Sequence, residues 1–420
     1  MMGEGWTTTD LGHISELITS GSRGWASFYS KNGNPFLRMT NLRRERICLD
    51  LSELKFVSLP KNNSESNRTQ VKLGDILVSI TAELGKIGYV DFEPYSETYI
   101  NQHICLVRTK RGAVETRFLA YLLSAEPQQT LFNRLNDAGA KAGLNLQTIA
   151  KFPVRLPPLP EQRKIAEILG TWDRAIELTS ALLAAARTRK RGLMQILLTG
   201  KCRFPEFEGQ AWREVQLGEV VSVDQQSLRS STAPDFIFDY ISLSDVESGK
   251  IVENLQRFTF EKAPSRARRI VKPGDLLVST VRPNLQGFAR VTEQQQGCIA
   301  STGFAVVTPK AKANGSYLLH YLFSHHMESQ FHSLVVGSNY PVINSSDVKR
   351  FKVCLPSVAE QIKIGNLLDS CDAETLRLVT QIKALHIQKR SLMQKLLTGE
   401  LRVPLDSASI SIHTPMRAGG

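Results

Sequence analysis

Pro160-Glu161-Gln162-Arg163-Lys164-Ile165-Ala166-Glu167-Ile168-Leu169-Gly170-Thr171-Trp172 opens a run, residues 160–199, with no proline beyond its first turn and little glycine. Steps of four and three from Ile165 fall on Leu169, Trp172, Ile176, Thr179, Leu183, Ala186, Lys190, Leu193 and Leu197, and eight of these ten positions are apolar. That is a heptad seam, the signature of a helix that packs along its length against another helix. The run predicts a helix of roughly 60 Å at 1.5 Å per residue. Pro160-Glu161 suits its first turn and Gly200 its C-terminal end.

The same seam occurs a second time. From Ile364 the steps reach Leu368, Cys371, Thr375, Leu378, Ile382, Leu385, Lys389, Leu392 and Leu396, again with eight apolar positions of ten. Ser357-Val358-Ala359-Glu360 reads as a capping box at the start of this run, residues 358–398, and Gly399 as its end. Two helices of equal length and identical register can bury their seams on each other, and the pairing that lets each seam meet its copy is antiparallel.

The repeat extends beyond the helices. Val71-Lys72-Leu73-Gly74-Asp75-Ile76-Leu77-Val78-Ser79 returns 200 residues later as Val271-Lys272-Pro273-Gly274-Asp275-Leu276-Leu277-Val278-Ser279. Leu156-Pro157, Glu161-Gln162 and Leu197-Leu198-Thr199-Gly200 return 199 residues later, and Trp6 and Leu11-Gly12 have counterparts in Trp212 and Leu217-Gly218. So long a period excludes a solenoid and implies two domains, each with a helical appendage. Residues 1–155 and 203–354 mix short apolar strands with Gly, Asn, Ser and Pro turns, and 115–135 and 316–333 have helical spacing. Each reads as an α+β domain. The expected division is 1–155, 156–202, 203–354 and 355–402, with a mobile tail over 403–420.

The 420 residues carry 52 Lys and Arg against 40 Asp and Glu, a net charge of +12, with 42% hydrophobic residues. That excludes a disordered chain and makes a polyanion a plausible partner. No apolar stretch approaches the length of a membrane span, and the opening residues lack a basic region followed by an apolar run. Six cysteines without a CxxC pair read as thiols of a reducing cytoplasm, which is the expected location. A phosphate-cradling GxxxxGK[ST] is missing: Gly85-Lys86 and Gly200-Lys201 lack its glycine spacing and hydroxyl. No paired acids with [DE]xK suggest a magnesium nuclease, no [ND]PP[YF] turn suggests a base methyltransferase, and no metal site is expected. His320, His325, His326 and His332 have no second ligand group and read as surface or satisfied histidines. The chain reads as non-catalytic.

What remains suits DNA. The candidates are Arg38, Arg43, Arg44, Lys86 and Lys141 in the first copy, and Arg229, Arg282, Asn284 and Asn339 in the second. Arg reads guanine and Asn adenine, while Lys or Arg elsewhere neutralises phosphate. Between the matched landmarks the copies diverge most at 38–50 against 241–254, 81–86 against 281–286, and 139–145 against 337–344. A shared scaffold with differing loops is what two readers of different sequences need. The basic run Arg187-Thr188-Arg189-Lys190-Arg191 reads equally well as a solvated helix face.

Leu156 to Leu169 followed by Lys190 to Gly200 resembles the central conserved region of the specificity subunit of type I restriction-modification systems. Leu355 to Leu401 resembles its distal conserved region, and Val71–Ser79 and Val271–Ser279 resemble a landmark within its target recognition domains. The resemblance implies two tandem α/β target recognition domains alternating with two long helices that pair as an antiparallel coiled coil. It implies that each domain reads half of a bipartite DNA target while the helices set the spacer. It also implies that the helices dock two methyltransferase (modification) subunits, which use S-adenosylmethionine, and that restriction subunits using ATP and Mg²⁺ join them. The docking and spacer positions would then be Ile165, Leu169, Trp172, Ile176, Leu183, Ile364, Leu368, Leu378, Ile382 and Leu385. A helical scaffold without sequence-specific DNA binding is the alternative.

Overall fold

A computed structural model of the chain describes residues 5–60, 65–94, 97–135, 143–247, 249–335 and 342–404. The chain forms two compact units. The first comprises residues 1–179 and 381–420, the second 180–380. Each thus joins one α+β domain to part of both long helices.

In the first unit, four antiparallel strands lie in the order Ser15–Ser20, Ile104–Thr109, Ile76–Ser79, Ile87–Tyr89. In the second, the order is Val221–Val223, Phe304–Pro309, Leu276–Ser279, Phe288–Arg290. The repeated apolar run is therefore the same inner strand twice. Successive side chains on a strand point to opposite faces. Accordingly Ile76 and Val78 enter one core with Phe118, Tyr121 and Phe132, while Leu77 enters another with Leu42, Ile104 and Leu106. Leu276 and Val278, against Leu277, repeat this division. Each unit also holds a second four-stranded sheet, with one parallel pairing apiece, Phe36 opposite Tyr99 and Tyr240 opposite Ile299, beside smaller two-stranded sheets.

The segments with helical spacing each form two helices rather than one: Thr116–Ser124 and Glu126–Arg134, then Gly315–Leu322 and His325–Val335. Pro127 explains the first break, because its ring would clash with the carbonyl four residues back. At the second, the Ser324 hydroxyl accepts from the Met327 amide at 3.3 Å and starts a new helix.

The long helices span Leu159–Leu197 and Val358–Thr398. Every one of the twenty seam positions is buried or half-buried. Their polar partners fix the direction. In the first unit Arg402 binds Glu161 and Lys389 binds Asp173; in the second Arg203 binds Glu360, Lys190 binds Asp372 and Arg189 binds Glu374. One partner's number falls as the other's rises, so in each unit the helices run antiparallel. Gly200 and Gly399 adopt φ of 69° and 77°, and amides of Cys202 and Leu401 donate back to Ile196 and Lys395 at 3.1 and 3.0 Å, closing both helices as expected. The capping box at Ser357 is only half present. The hydroxyl accepts from the Glu360 amide at 3.4 Å, but the Glu360 carboxylate turns to Arg203, because a buried charge must be paired. No helix among the described residues is long and apolar enough to cross a membrane.

Candidate nucleic-acid interface

Two of the three divergent pairs, 81–86 against 281–286 and 38–50 against 241–254, lie between equivalent strands, and the third lies between helices. In the first unit the hairpin joining Ile76–Ser79 to Ile87–Tyr89 is closed by the Ser79 amide donating to the Lys86 carbonyl at 2.9 Å. In the second, the Ser279 amide donates to Gly287 at 3.1 Å, which makes that hairpin one residue longer.

Each hairpin collects the other divergent stretches. Thr81 bridges Gly143 and the Leu144 amide donates to Ile80 at 2.9 Å; Val281 bridges Val342 and the Ile343 amide donates to Thr280 at 2.9 Å. The stretch 38–50 arrives through Arg44, which donates to the Leu84 carbonyl at 3.1 Å and to Gln129 at 2.8 Å. Gln129 itself donates to the Gly85 carbonyl at 2.7 Å. In the second unit the stretch 241–254 arrives through Gly249, whose amide donates to Phe288 at 3.0 Å. Stretches far apart in sequence thus adjoin each hairpin, 38–50 at its tip in the first unit and 241–254 at the strand that follows it in the second.

Arg43, Arg44 and Lys86 are brought together. The Lys86 ammonium is pushed below its ordinary value, by partial burial first and then by Arg44 and Arg43, and it pairs with Glu83. Arg43 forks onto Asp50 at 2.9 and 2.6 Å, and the Asp50 carboxyl is held well below the usual range by the Ser52 hydroxyl and by Arg43. Arg38 is half-buried and donates to the Glu53 carbonyl at 3.3 Å. Arg282 and Asn284 are both exposed on the second hairpin. Arg229 is exposed elsewhere, on the segment whose Leu228 amide donates to Arg268 at 2.8 Å. Lys141 and Asn339 lie outside the described residues.

Sequence reasoning missed how the repeated Glu-Gln works. Gln162 is buried; its Oε1 accepts from the Glu115 amide at 2.9 Å and its Nε2 donates to the Pro157 carbonyl at 2.8 Å. Gln361 accepts from the Asn314 amide at 2.9 Å and donates to Pro356 at 3.0 Å. Each glutamine therefore ties the start of a long helix to the helical segment of its own domain. Recurrence of Glu-Gln at a spacing of 199 was the available signal. His320 is buried with Nε2 2.9 Å from Asp369, while His325 is exposed. Among the described residues no group of His, Cys, Asp or Glu is arranged to hold a metal.

The family described as type I restriction modification DNA specificity domain matches residues 3–187 and again 210–385. The chain belongs to that family. The two matched segments coincide with the two copies of the repeat, so the repeat is a doubled specificity domain. A protein of Methanocaldococcus jannaschii named as the MjaX specificity subunit of a type I restriction enzyme is 23% identical, with 95% of this chain and 94% of that one covered. The EcoBI specificity subunit of Escherichia coli is 23% identical over 72% of this chain and 68% of its own. Among solved structures, the type I restriction-modification S subunit from M. genitalium covers 93% of this chain and 96% of its own at a TM-score of 0.60 and 14% identity, a likeness of fold. The specificity chain accordingly acts in DNA sequence recognition within a type I restriction-modification system.

Proposed function

We propose that each unit of the specificity chain reads one half of a bipartite DNA target through its hairpin surface, and that the long helices set the unread spacer. The approach of two other divergent stretches to a hairpin that itself diverges, over a repeated scaffold, carries this reading. The helices also dock two modification subunits. Leu178 and Ile387 in the first unit, and Leu182 and Leu376 in the second, stay exposed outside the seam, as an apolar docking face requires. Methyl transfer with S-adenosylmethionine, and cleavage with ATP and Mg²⁺, belong to the partner subunits in the cytoplasm, and the chain itself is non-catalytic.

Mapping methylated adenines in a host with and without the chain tests recognition. Arg44→Ala and Lys86→Ala are expected to relax one half-site, Arg282→Ala and Asn284→Ala the other. A base contact is typically worth about 1–3 kcal/mol of discrimination. Four residues inserted after Thr179 add roughly one helical turn, ~6 Å. They should lengthen the spacer by about one base pair with both half-sites unchanged. An altered half-site, or an unchanged spacer, would show that the helices are not the ruler.

A further inference from the structure

The extra residue in the second hairpin changes what its tip presents. In the first unit Leu84 is 5% exposed and joins the core that holds Phe132. In the second, Pro283 is the buried residue of the turn, and Leu285 stands 69% exposed after the exposed Asn284. The turn is held in an unfavourable backbone. Arg282 and Gln286 have φ of 47° and 53°, the left-handed region, although neither is glycine. Amides of Leu285, Gln286 and Phe288 donate to Arg282, Pro283 and Gln286 at 2.9, 2.9 and 2.8 Å and fix the turn. Val342, on the segment bridged to Val281, is 60% exposed. Strain of this kind persists where the surrounding structure imposes it, and it concentrates at ligand contacts.

A surface that only neutralised phosphate would present cations here. This one presents a rigidly held aliphatic side chain in the same short turn as a guanidinium and a carboxamide. In the major groove of DNA, the apolar feature of the base edges is the thymine 5-methyl group. We infer that Leu285 is a specificity-determining residue of the second unit that packs against a thymine methyl in its half-site, with Arg282 and Asn284 reading neighbouring polar edges. The first unit has no counterpart, because Leu84 is spent on its core. The inference rests on the reading that the second hairpin faces DNA.

The test uses the full chain assembled with its modification subunits and the target defined by its methylated motif. Each thymine of the second half-site is replaced in turn by deoxyuridine, which removes only the methyl. At one position the wild-type complex should bind about fourfold more weakly, the worth of one buried methyl group. Leu285→Ala should bind the parent DNA more weakly and lose that sensitivity. A second half-site without thymine, or a Leu285→Ala complex that keeps the wild-type response at every thymine, overturns the inference. If Arg282→Ala and Asn284→Ala change the half-site while Leu285→Ala does not, the reading of the hairpin stands and the inference alone fails. If none of the three changes it, both fail.

Discussion

Two inner strands of near-identical sequence, Ile76–Ser79 and Leu276–Ser279, lead into hairpins that spend their leucines in opposite ways. Leu84 completes a core, whereas Leu285 is displayed by a turn whose buried place is already taken by Pro283. The turns before these strands differ as well. Asp75 accepts from the Lys72 amide at 2.7 Å and pairs with Arg108 at 2.6 Å. Burial pushes its carboxyl up, and the bonds from Arg108 and Lys72 oppose that rise. Asp275 keeps the amide bond, at 2.9 Å, but meets the hydroxyl of Thr308 at 2.6 Å instead of a guanidinium. The comparison teaches that the backbone bonds are the repeated element. The side chains that complete them are free to differ provided each buried polar group is paired.

The largest effect should come from breaking that pairing. Arg108→Ala leaves a buried carboxylate without its counter-charge and should cost about 3–5 kcal/mol of unfolding free energy. Thr308→Ala removes one neutral donor and should cost about 1 kcal/mol. Urea unfolding of the two variants checks this, and equal losses would mean that the two aspartates are not held differently.

Next come the leucines. Leu84→Ala should destabilise by ~2–4 kcal/mol through the cavity it leaves. Leu285→Ala, changed at an exposed position, should stay within ~0.5 kcal/mol of wild type. Thermal unfolding separates the two, and a large loss for Leu285→Ala would contradict its display at the surface.

Acid sharpens the contrast at the helix contacts. In the second unit Asp369 accepts from Ser316 at 2.7 Å and lies 2.9 Å from His320 Nε2. Burial raises its pKa, but His320, Ser316 and Arg290 overcome that effect and hold the carboxyl at about 2. A carboxyl held low in the folded chain binds fewer protons than in the unfolded chain. Its contribution is therefore complete above the ordinary aspartate range and is lost as pH falls through about 2. Asp369→Asn should lower stability at neutral pH and flatten the acid limb of unfolding between about pH 4 and 2. At the equivalent place the first unit has Gly170, so removing the carboxylate tests a contact confined to one copy.

A comparably small effect is expected on the basic run of the first long helix. Arg189 pairs with Glu374 at the surface, so Arg189→Ala should change stability by less than about 1 kcal/mol. The methylated motif should remain the same, and a motif that changed would move the reading surface onto the helix.

The long helices were legible because a heptad seam is a local pattern, and nothing along twenty seam positions contradicts it. The domain cores were legible from runs such as Ile76-Leu77-Val78, where apolar residues on both faces require cover on both sides. The candidate interface was legible only in part. Divergence marked stretches that adjoin one another in each unit, and Arg43, Arg44 and Lys86 converge. Charge was a poor guide to single residues, because whether Arg43 is engaged depends on Asp50, and whether Arg38 is engaged depends on the Glu53 carbonyl. Leu285 and Val342 were invisible to a search for polar readers, since an exposed leucine and a buried one are the same letter.

By itself the sequence determined the doubled architecture, the length and register of both helices and the family to which the chain belongs. Each of these is written as a periodicity or a recurrence along the chain. Only the tertiary structure decided what the Glu-Gln pair does, which partner each buried charge finds, and which of two hairpin leucines faces solvent. Those outcomes depend on groups brought together across tens or hundreds of residues: Glu161 with Arg402, Gln361 with Asn314, Leu84 with the core around Phe132. Burial and pairing are properties of that assembled neighbourhood, and no local pattern carries them.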